Sequence, residues 1–230
     1  MSRVDVWIAA AGASVGQPPE TGVLDEIERE RFDELTNAAT AAAYVTLHTL
    51  ARQVIGSIIG VPARAVRFDR NCPVCGGPHG RPTVSDHPGL HLSLTRTTAL
   101  VGVAVTTAGP VGIDVEEVAA AAFDGFDEVA LHPGERRPGG LLTGRGGRSK
   151  ATAWVRKEAA LKALGTGLRT DPATVRTPPT GILTVVVPGR QPLTVTDLVL
   201  RGRAARTHVA AVAVAGTAAE VVMQDARSSR

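Results

Sequence analysis

Aromatic side chains are scarce in this chain: two tryptophans, one tyrosine and four phenylalanines in 230 residues. Scattered as they are, they offer no stacking platform for single-stranded nucleic acid. The excess of 25 basic over 22 acidic residues leaves a net charge of +3, too mild for a general phosphate-binding coat. Lysine is nearly missing, with only Lys150, Lys157 and Lys162, so arginine carries almost all the positive charge. Two cysteines are too few for a disulfide framework. Long apolar runs are absent too. The charge-free stretch between Arg96 and Asp114 contains four threonines, three glycines and a proline, and is too short to cross a bilayer comfortably. At the N-terminus no basic start precedes an apolar segment, and Asp5 interrupts the run a signal peptide would need, so a cytoplasmic location is expected.

What the chain does have is small aliphatic residues, within a hydrophobic share of 43%. That suffices for one large domain or two of roughly 100 residues. The pattern predicts a strand over 4–9, a loop over 12–22, an exposed helix over 24–32, and a helix over 38–59. The last carries Leu47, Leu50, Val54 and Ile58 on one stripe, with Arg52 off it. Gly60 and Pro62 end that helix. A short strand over 66–68, a turn-rich loop over 71–80 and a hairpin over 90–105 follow. The second half reads as a strand over 111–118, a Gly/Arg/Pro-rich loop over 133–148, a helix over 151–164 stopped by Gly165, and three valine-rich strands at 183–187, 193–200 and 208–214. The tail after 224 is expected to be disordered. Each half runs helix then strands, which is an α+β layout.

Two patterns carry chemistry. In Gly112-Ile113-Asp114-Val115-Glu116 the strand period of two sends both carboxylates to one face, with α-carbons about 6.5 Å apart. Such a pair reads either as a site for one hard cation or as an ordinary exposed strand face. In Trp154-Val155-Arg156-Lys157-Glu158-Ala159-Ala160-Leu161-Lys162 the spacing of four puts Glu158 and Lys162 on one helix face, where a surface ion pair is the plain alternative. The crowding of all three lysines into this neighbourhood favours phosphate handling. Cys72-Pro73-Val74-Cys75, with His79 and His87 nearby, reads as a zinc site or as a Gly/Pro turn with two free thiols. Seven basic residues and no acidic one lie between Arg136 and Lys157, either a solvated loop or a docking surface for an acidic partner.

Taken together, the strand Gly-x-Asp-x-Glu and the helical Trp-x-x-Lys-Glu-x-x-x-Lys resemble the 4'-phosphopantetheinyl transferases, in the larger pseudo-dimeric class that includes the surfactin-synthetase-activating enzyme. His79-Gly80-Arg81-Pro82 is similar to the family's Gly-Lys/Arg-Pro segment. Leu92-Ser93-Leu94-Thr95-Arg96-Thr97 occupies the place of its Ser-His-Ser/Thr strand, with Arg96 where histidine is usual. The resemblance implies two similar subdomains in a pseudo-twofold arrangement, 1–107 and 108–230, each a small antiparallel sheet packed on a long helix. It implies Mg²⁺-dependent transfer (Mn²⁺ being an alternative) of the phosphopantetheine arm of coenzyme A to a serine of an apo acyl or peptidyl carrier protein. The carrier would serve fatty acid, polyketide or nonribosomal peptide synthesis, and the enzyme would act as a monomer.

By the same resemblance Asp114, Glu116 and Glu158 are the metal ligands and Glu158 the base. Lys162 is the phosphate contact stabilising transfer, and Arg81, Thr95 and Arg96 join it in binding coenzyme A. Arg29, Arg31 and Arg52 are possible further nucleotide contacts, with helix-surface charge as their default reading. The rival functions are a non-catalytic binder of coenzyme A or carrier protein, and a small Cys-x-x-Cys nucleic-acid module.

Overall fold

The structure is a computed structural model that describes residues 3–12, 21–121, 124–136, 146–177, 183–185, 193–215 and 219–225. It is a mixed α+β chain. The predicted loop at 13–20, most of the Gly/Arg/Pro-rich segment and the end of the tail lie outside the described residues.

The first sheet has the order β10-β1-β5-β4, from β1 (Arg3–Ala10), β4 (His91–Arg96), β5 (Leu100–Thr106) and β10 (Glu220–Gln224). One face packs on α2 (Ala38–Ile59): Leu92, Val101, Val103 and Val105 bury against Leu47, Leu50, Val54 and Ile55. The helix starts at Asn37, whose side chain accepts from the Thr40 amide, and stops at Gly60 in the left-handed region at φ 75. Before it lies α1 (Glu26–Asp33), with Asp25 and Glu28 closing a reciprocal capping box. Between α2 and β4 a two-stranded ribbon, β2 (Phe68–Asp69) and β3 (Thr83–Val84), holds the base of the 71–81 loop. The strand expected over 66–68 thus forms one or two residues later.

The second sheet has the order β6-β9-β8-β7, from β6 (Val111–Glu117), β7 (Leu183–Val185), β8 (Leu193–Asp197) and β9 (His208–Ala215). Its pairings are all antiparallel. Its outer face carries α4 (Gly147–Leu164), packed through Ala159, Ala160 and Ala163 onto Val195, Ala211 and Ala213. Short helices α3 (Phe126–Ala130) and α5 (Ala204–Thr207) precede α4 and β9. The inner faces share a third cluster, in which Val4, Val6 and Ala104 meet Ile113, Val115, Val212 and Val214. Buried aliphatic side chains of this size contribute about 1.5–3 kcal/mol each, so the seam between the sheets is a core of its own.

Two points depart from the sequence reading. β10, in a stretch to which the sequence pattern assigns no element, is a strand, and it returns from the second half to pair with β1. That pairing is parallel, so the first sheet is not purely antiparallel, as the resemblance implied. β1 and β10 lie at opposite ends of the chain, so the long connection that a parallel pair needs is present. No described helix is long and apolar enough to cross a membrane.

Candidate active site

β6 and α4 meet at close range because Gly112 has no side chain. A Cβ there would lie 2.0 Å from the Ala159 carbonyl oxygen and 2.5 Å from the Ala163 amide nitrogen. The same strand face then carries Asp114 and Glu116 against the helix face of Glu158 and Lys162, while Ile113 and Val115 turn into the core. The other edge of β6 is completed by β4 through side chains rather than a ladder. Ser93 Oγ accepts the Ile113 amide at 3.1 Å and Thr95 Oγ1 accepts the Val115 amide at 3.2 Å. Hydroxyls at period two on β4 therefore satisfy the free amides of β6 and fix the register of the acidic residues.

Asp114 is buried. Its Oδ1 accepts from Lys162 Nζ at 2.6 Å and from Thr95 Oγ1 at 3.1 Å, and Lys162 also reaches the Ile113 carbonyl at 3.2 Å. Asp114 Oδ2 and Glu158 Oε1 are buried polar atoms with no hydrogen-bond partner among the described residues. Trp154 Nε1 donates to Glu116 Oε1 at 3.2 Å. Burial first, then the charges of Asp114 and, less strongly, Glu158, push the Glu116 carboxyl up to about 7 against the pull of Trp154 and Lys162. Burial and the Asp114 charge raise Glu158 as well, partly offset by Lys162. Three acids thus share a partly dry place with a single lysine, and burial and their mutual charge both disfavour their ionised forms. Among the described residues, the only three metal-ligating side chains whose ligand atoms close to within 4.8 Å of one another are elsewhere, at Cys72, Cys75 and His79.

Orphaned carboxylate oxygens of this kind are what a hard divalent cation takes. The donor set is of the type a hard divalent cation takes, and Asp114, Glu116 and Glu158 are the residues that could hold one. The raised Glu116 has a sign that can be checked without any ligand. Its folded pKa lies above its ordinary 4.5, so its contribution to stability is fully present below about 4.5 and is lost as pH rises through about 7. Thermal melting in EDTA is expected to show this loss, and Glu116→Gln to flatten it; an unchanged pH profile in that variant would refute the crowding.

Arg81, Thr95 and Arg96 fall in three different settings. Arg81 leaves the 71–81 loop and crosses to the end of α4, where Nη1 donates to the Ala163 carbonyl at 3.1 Å. Its Nε is buried without a partner among the described residues. With His91, Asp69, Asp86 and Pro110 it lines a cavity of about 590 Å³, and burial together with the Arg81 charge lowers the pKa of His91. Thr95, expected to touch the cofactor, has its hydroxyl engaged by Asp114 and Val115. It is buried and orients Asp114. Arg96 turns to the opposite face of β4 and lies exposed over the Tyr44 ring at 5.3 Å.

Other expectations are corrected. Glu158 and Lys162 do not form a surface ion pair, since Lys162 turns to Asp114 across the strand. Lys157, grouped by sequence with the phosphate-handling lysines, is fully buried and bonds Glu135 at 2.7 Å and the carbonyls of Ala130 and Pro172 at 2.6 and 3.2 Å. The basic run up to Lys157 is not a free docking surface in its described part. Arg136 bonds the carbonyls of Leu131 and Glu128, Arg148 those of Ala205 and His208, Lys150 pairs with Asp127 and Arg156 with Asp197. Ser93 and Trp154 are the site residues that sequence reasoning left without a role. The signals were a hydroxyl two residues before Thr95 and a scarce indole four residues before Glu158, each with a polar group that needs a partner.

Residues 110–213 match the model of the 4'-phosphopantetheinyl transferase superfamily. The matched span contains Asp114, Glu116, Glu158 and Lys162 and stops short of Arg81 and Arg96. It supports phosphopantetheine transfer from coenzyme A to a carrier protein as the general reaction. No curated protein matches the chain.

Proposed function

We propose that this chain is a Mg²⁺-dependent holo-carrier-protein synthase of the pseudo-dimeric, surfactin-synthetase-activating type. It moves the 4'-phosphopantetheine arm of coenzyme A to a serine of an apo acyl or peptidyl carrier protein. The observation that carries this reading is the pair of buried carboxylate oxygens on Asp114 and Glu158 that have no partner among the described residues, set between β6 and α4 within the matched segment. The serine oxygen bonds to the phosphorus on the pantetheine side, the pyrophosphate P–O bond breaks, and adenosine 3',5'-bisphosphate leaves. The serine proton passes to a base.

Each residue then has a task set by its chemistry. A bound Mg²⁺ supplies charge neutralisation for the pyrophosphate oxygens. Glu158, with its raised pKa, is suited to accept the serine proton. Lys162 sits next to Asp114 as the cation available to the phosphoryl oxygens. Thr95 and Trp154 hold Asp114 and Glu116 in place. Arg81, at the mouth of the neighbouring cavity, and Arg96, exposed at the end of β4, are the nucleotide phosphate contacts, and their guanidinium forks suit them to this. In this reading the subdomains divide at 107/108, with β10 crossing back. The chain works as a cytoplasmic monomer on carriers of fatty acid, polyketide or nonribosomal peptide synthesis.

Intact-protein mass spectrometry of an apo carrier protein with this chain, coenzyme A and Mg²⁺ tests the proposal. A gain of one phosphopantetheine group, abolished by EDTA, is the expected result. An unchanged mass on acyl and peptidyl carriers together, with no coenzyme A binding, would overturn it.

A further inference from the structure

We infer that the loop between β2 and β3 is a zinc site built by Cys72, Cys75 and His79. The two sulfurs and a ring nitrogen of His79 all lie within 4.8 Å of one another, in a chain whose other described residues form no such group. Sequence spacing alone does not bring this about; the backbone does. The Cys72 amide donates to the Gly77 carbonyl at 2.9 Å and the Gly76 amide to the Cys72 carbonyl at 2.8 Å. Gly76 takes φ +74, which a side chain rarely adopts. At Gly77 a Cβ would lie 3.1 Å from His79 Cδ2 and 3.4 Å from Cys75 Sγ, so glycine leaves room for the two ligands to converge. The base is closed by the Gly80 amide on the Arg70 carbonyl at 2.6 Å. The amides of Cys75 and Val74 point at the Cys72 sulfur.

The donor chemistry selects the metal. Two thiolates and an imidazole suit zinc and are poor ligands for magnesium or calcium. Zinc–ligand lengths in a tetrahedron place sulfur and nitrogen about 3.5 Å apart. Cys75 Sγ and His79 Nε2 stand at 2.9 Å, so a small rotation of two exposed side chains completes the arrangement. His87 is not the fourth ligand; its Nδ1 meets the Ser85 carbonyl at 3.0 Å, outside the group. Because Cys75 and His79 face solvent, water takes the fourth position. The loop ends at Arg81, and Arg31 anchors it by donating to the Pro78 carbonyl. The metal thus stiffens the segment that carries Arg81 to the end of α4. This site stands independently of the proposed transfer reaction.

The test is zinc stoichiometry on the full chain purified under reducing conditions, by plasma mass spectrometry after dialysis, followed by Co²⁺ replacement. One zinc per chain is expected, with a thiolate-to-cobalt charge-transfer band and the strong visible absorption of tetrahedral Co²⁺. Cys75→Ser and His79→Ala, both at exposed positions, are expected to weaken zinc at least tenfold against a chromophoric chelator and to abolish the rise in melting temperature that zinc gives the wild type. Substoichiometric zinc, a cobalt spectrum without the thiolate band, or equal uptake by the variants would overturn the assignment. So would an as-isolated chain two hydrogens lighter that binds no zinc once reduced, which would instead mark Cys72 and Cys75 as a redox pair.

Discussion

Asp114→Asn is expected to lower the rate of carrier-protein modification by about 10³-fold or more while the fold persists. The amide keeps the shape of the side chain and an oxygen to accept from Thr95, so the β4–β6 contact survives. What disappears is the charge between Lys162 and the two glutamates. Two readouts separate chemistry from folding: the initial rate of mass gain on the carrier, and urea unfolding followed by far-UV circular dichroism. Removing that charge also relieves the repulsion that raises Glu116 and Glu158. In EDTA the variant is therefore expected to lose less stability than wild type as pH rises toward 7. A wild-type transfer rate would remove Asp114 from the metal set.

Arg52→Ala is expected to be the most destabilising single change in the first half, at about 3–5 kcal/mol, out of a total of about 5–15 kcal/mol for a typical domain. Arg52 is fully buried. Its Nε bonds Glu28 at 2.9 Å, one Nη the Val66 carbonyl at 2.6 Å, and the other Nη Asp25 at 2.6 Å. Arg70 also holds Glu28 and Asp25, and His48 Nδ1 lies 2.8 Å from Glu28. Burial alone would raise the Glu28 carboxyl. The hydrogen bond and charge of His48, then Arg52 and the Asp25 amide, outweigh it and hold the carboxyl at about 2. Stability from this group is thus present above its ordinary 4.5 and is lost as pH falls toward 2. Truncating Arg52 leaves a buried carboxylate short of charge, and Arg52→Lys, lacking the planar fork, restores only part. Urea unfolding at neutral pH measures the loss as a lower midpoint at unchanged slope; a shift worth under about 1 kcal/mol would show the network to be dispensable.

This network also shows where sequence reading stops. Arg52 stands off the apolar stripe of α2, and its default reading was helix-surface charge or a nucleotide contact. It is buried because α1 and the 63–70 segment fold over that flank of the helix and bring Glu28 and Asp25 to it. Lys157 is the same case in the second half. Its crowding with Lys150 and Lys162 suggested phosphate, yet a helix turns by 100° per residue, and that step points Lys157 inward to Glu135 while Glu158 faces β6. The basic run from Arg136 misled in the same way, because its described members find carbonyls and acids of the chain itself, close in sequence for Arg136 and distant for Arg148, Lys150 and Arg156.

Local pattern by itself determined most elements and the shared face of Asp114 and Glu116. The bounds of α2 match at both ends, since an apolar stripe, an asparagine cap and a left-handed glycine are all local signals. The alternation in β6 needs only the pleat of a strand. Tertiary structure alone decided the rest: that Lys162 pairs with Asp114 rather than Glu158, that Ser93 and Thr95 complete the edge of β6, that Arg81 crosses to α4, and that β10 returns to the first sheet. Periodicity tells which way a side chain points along its own element. Which partner it meets depends on how two elements cross, and that was set by the absence of a Cβ at Gly112 and by the aliphatic seam between the sheets.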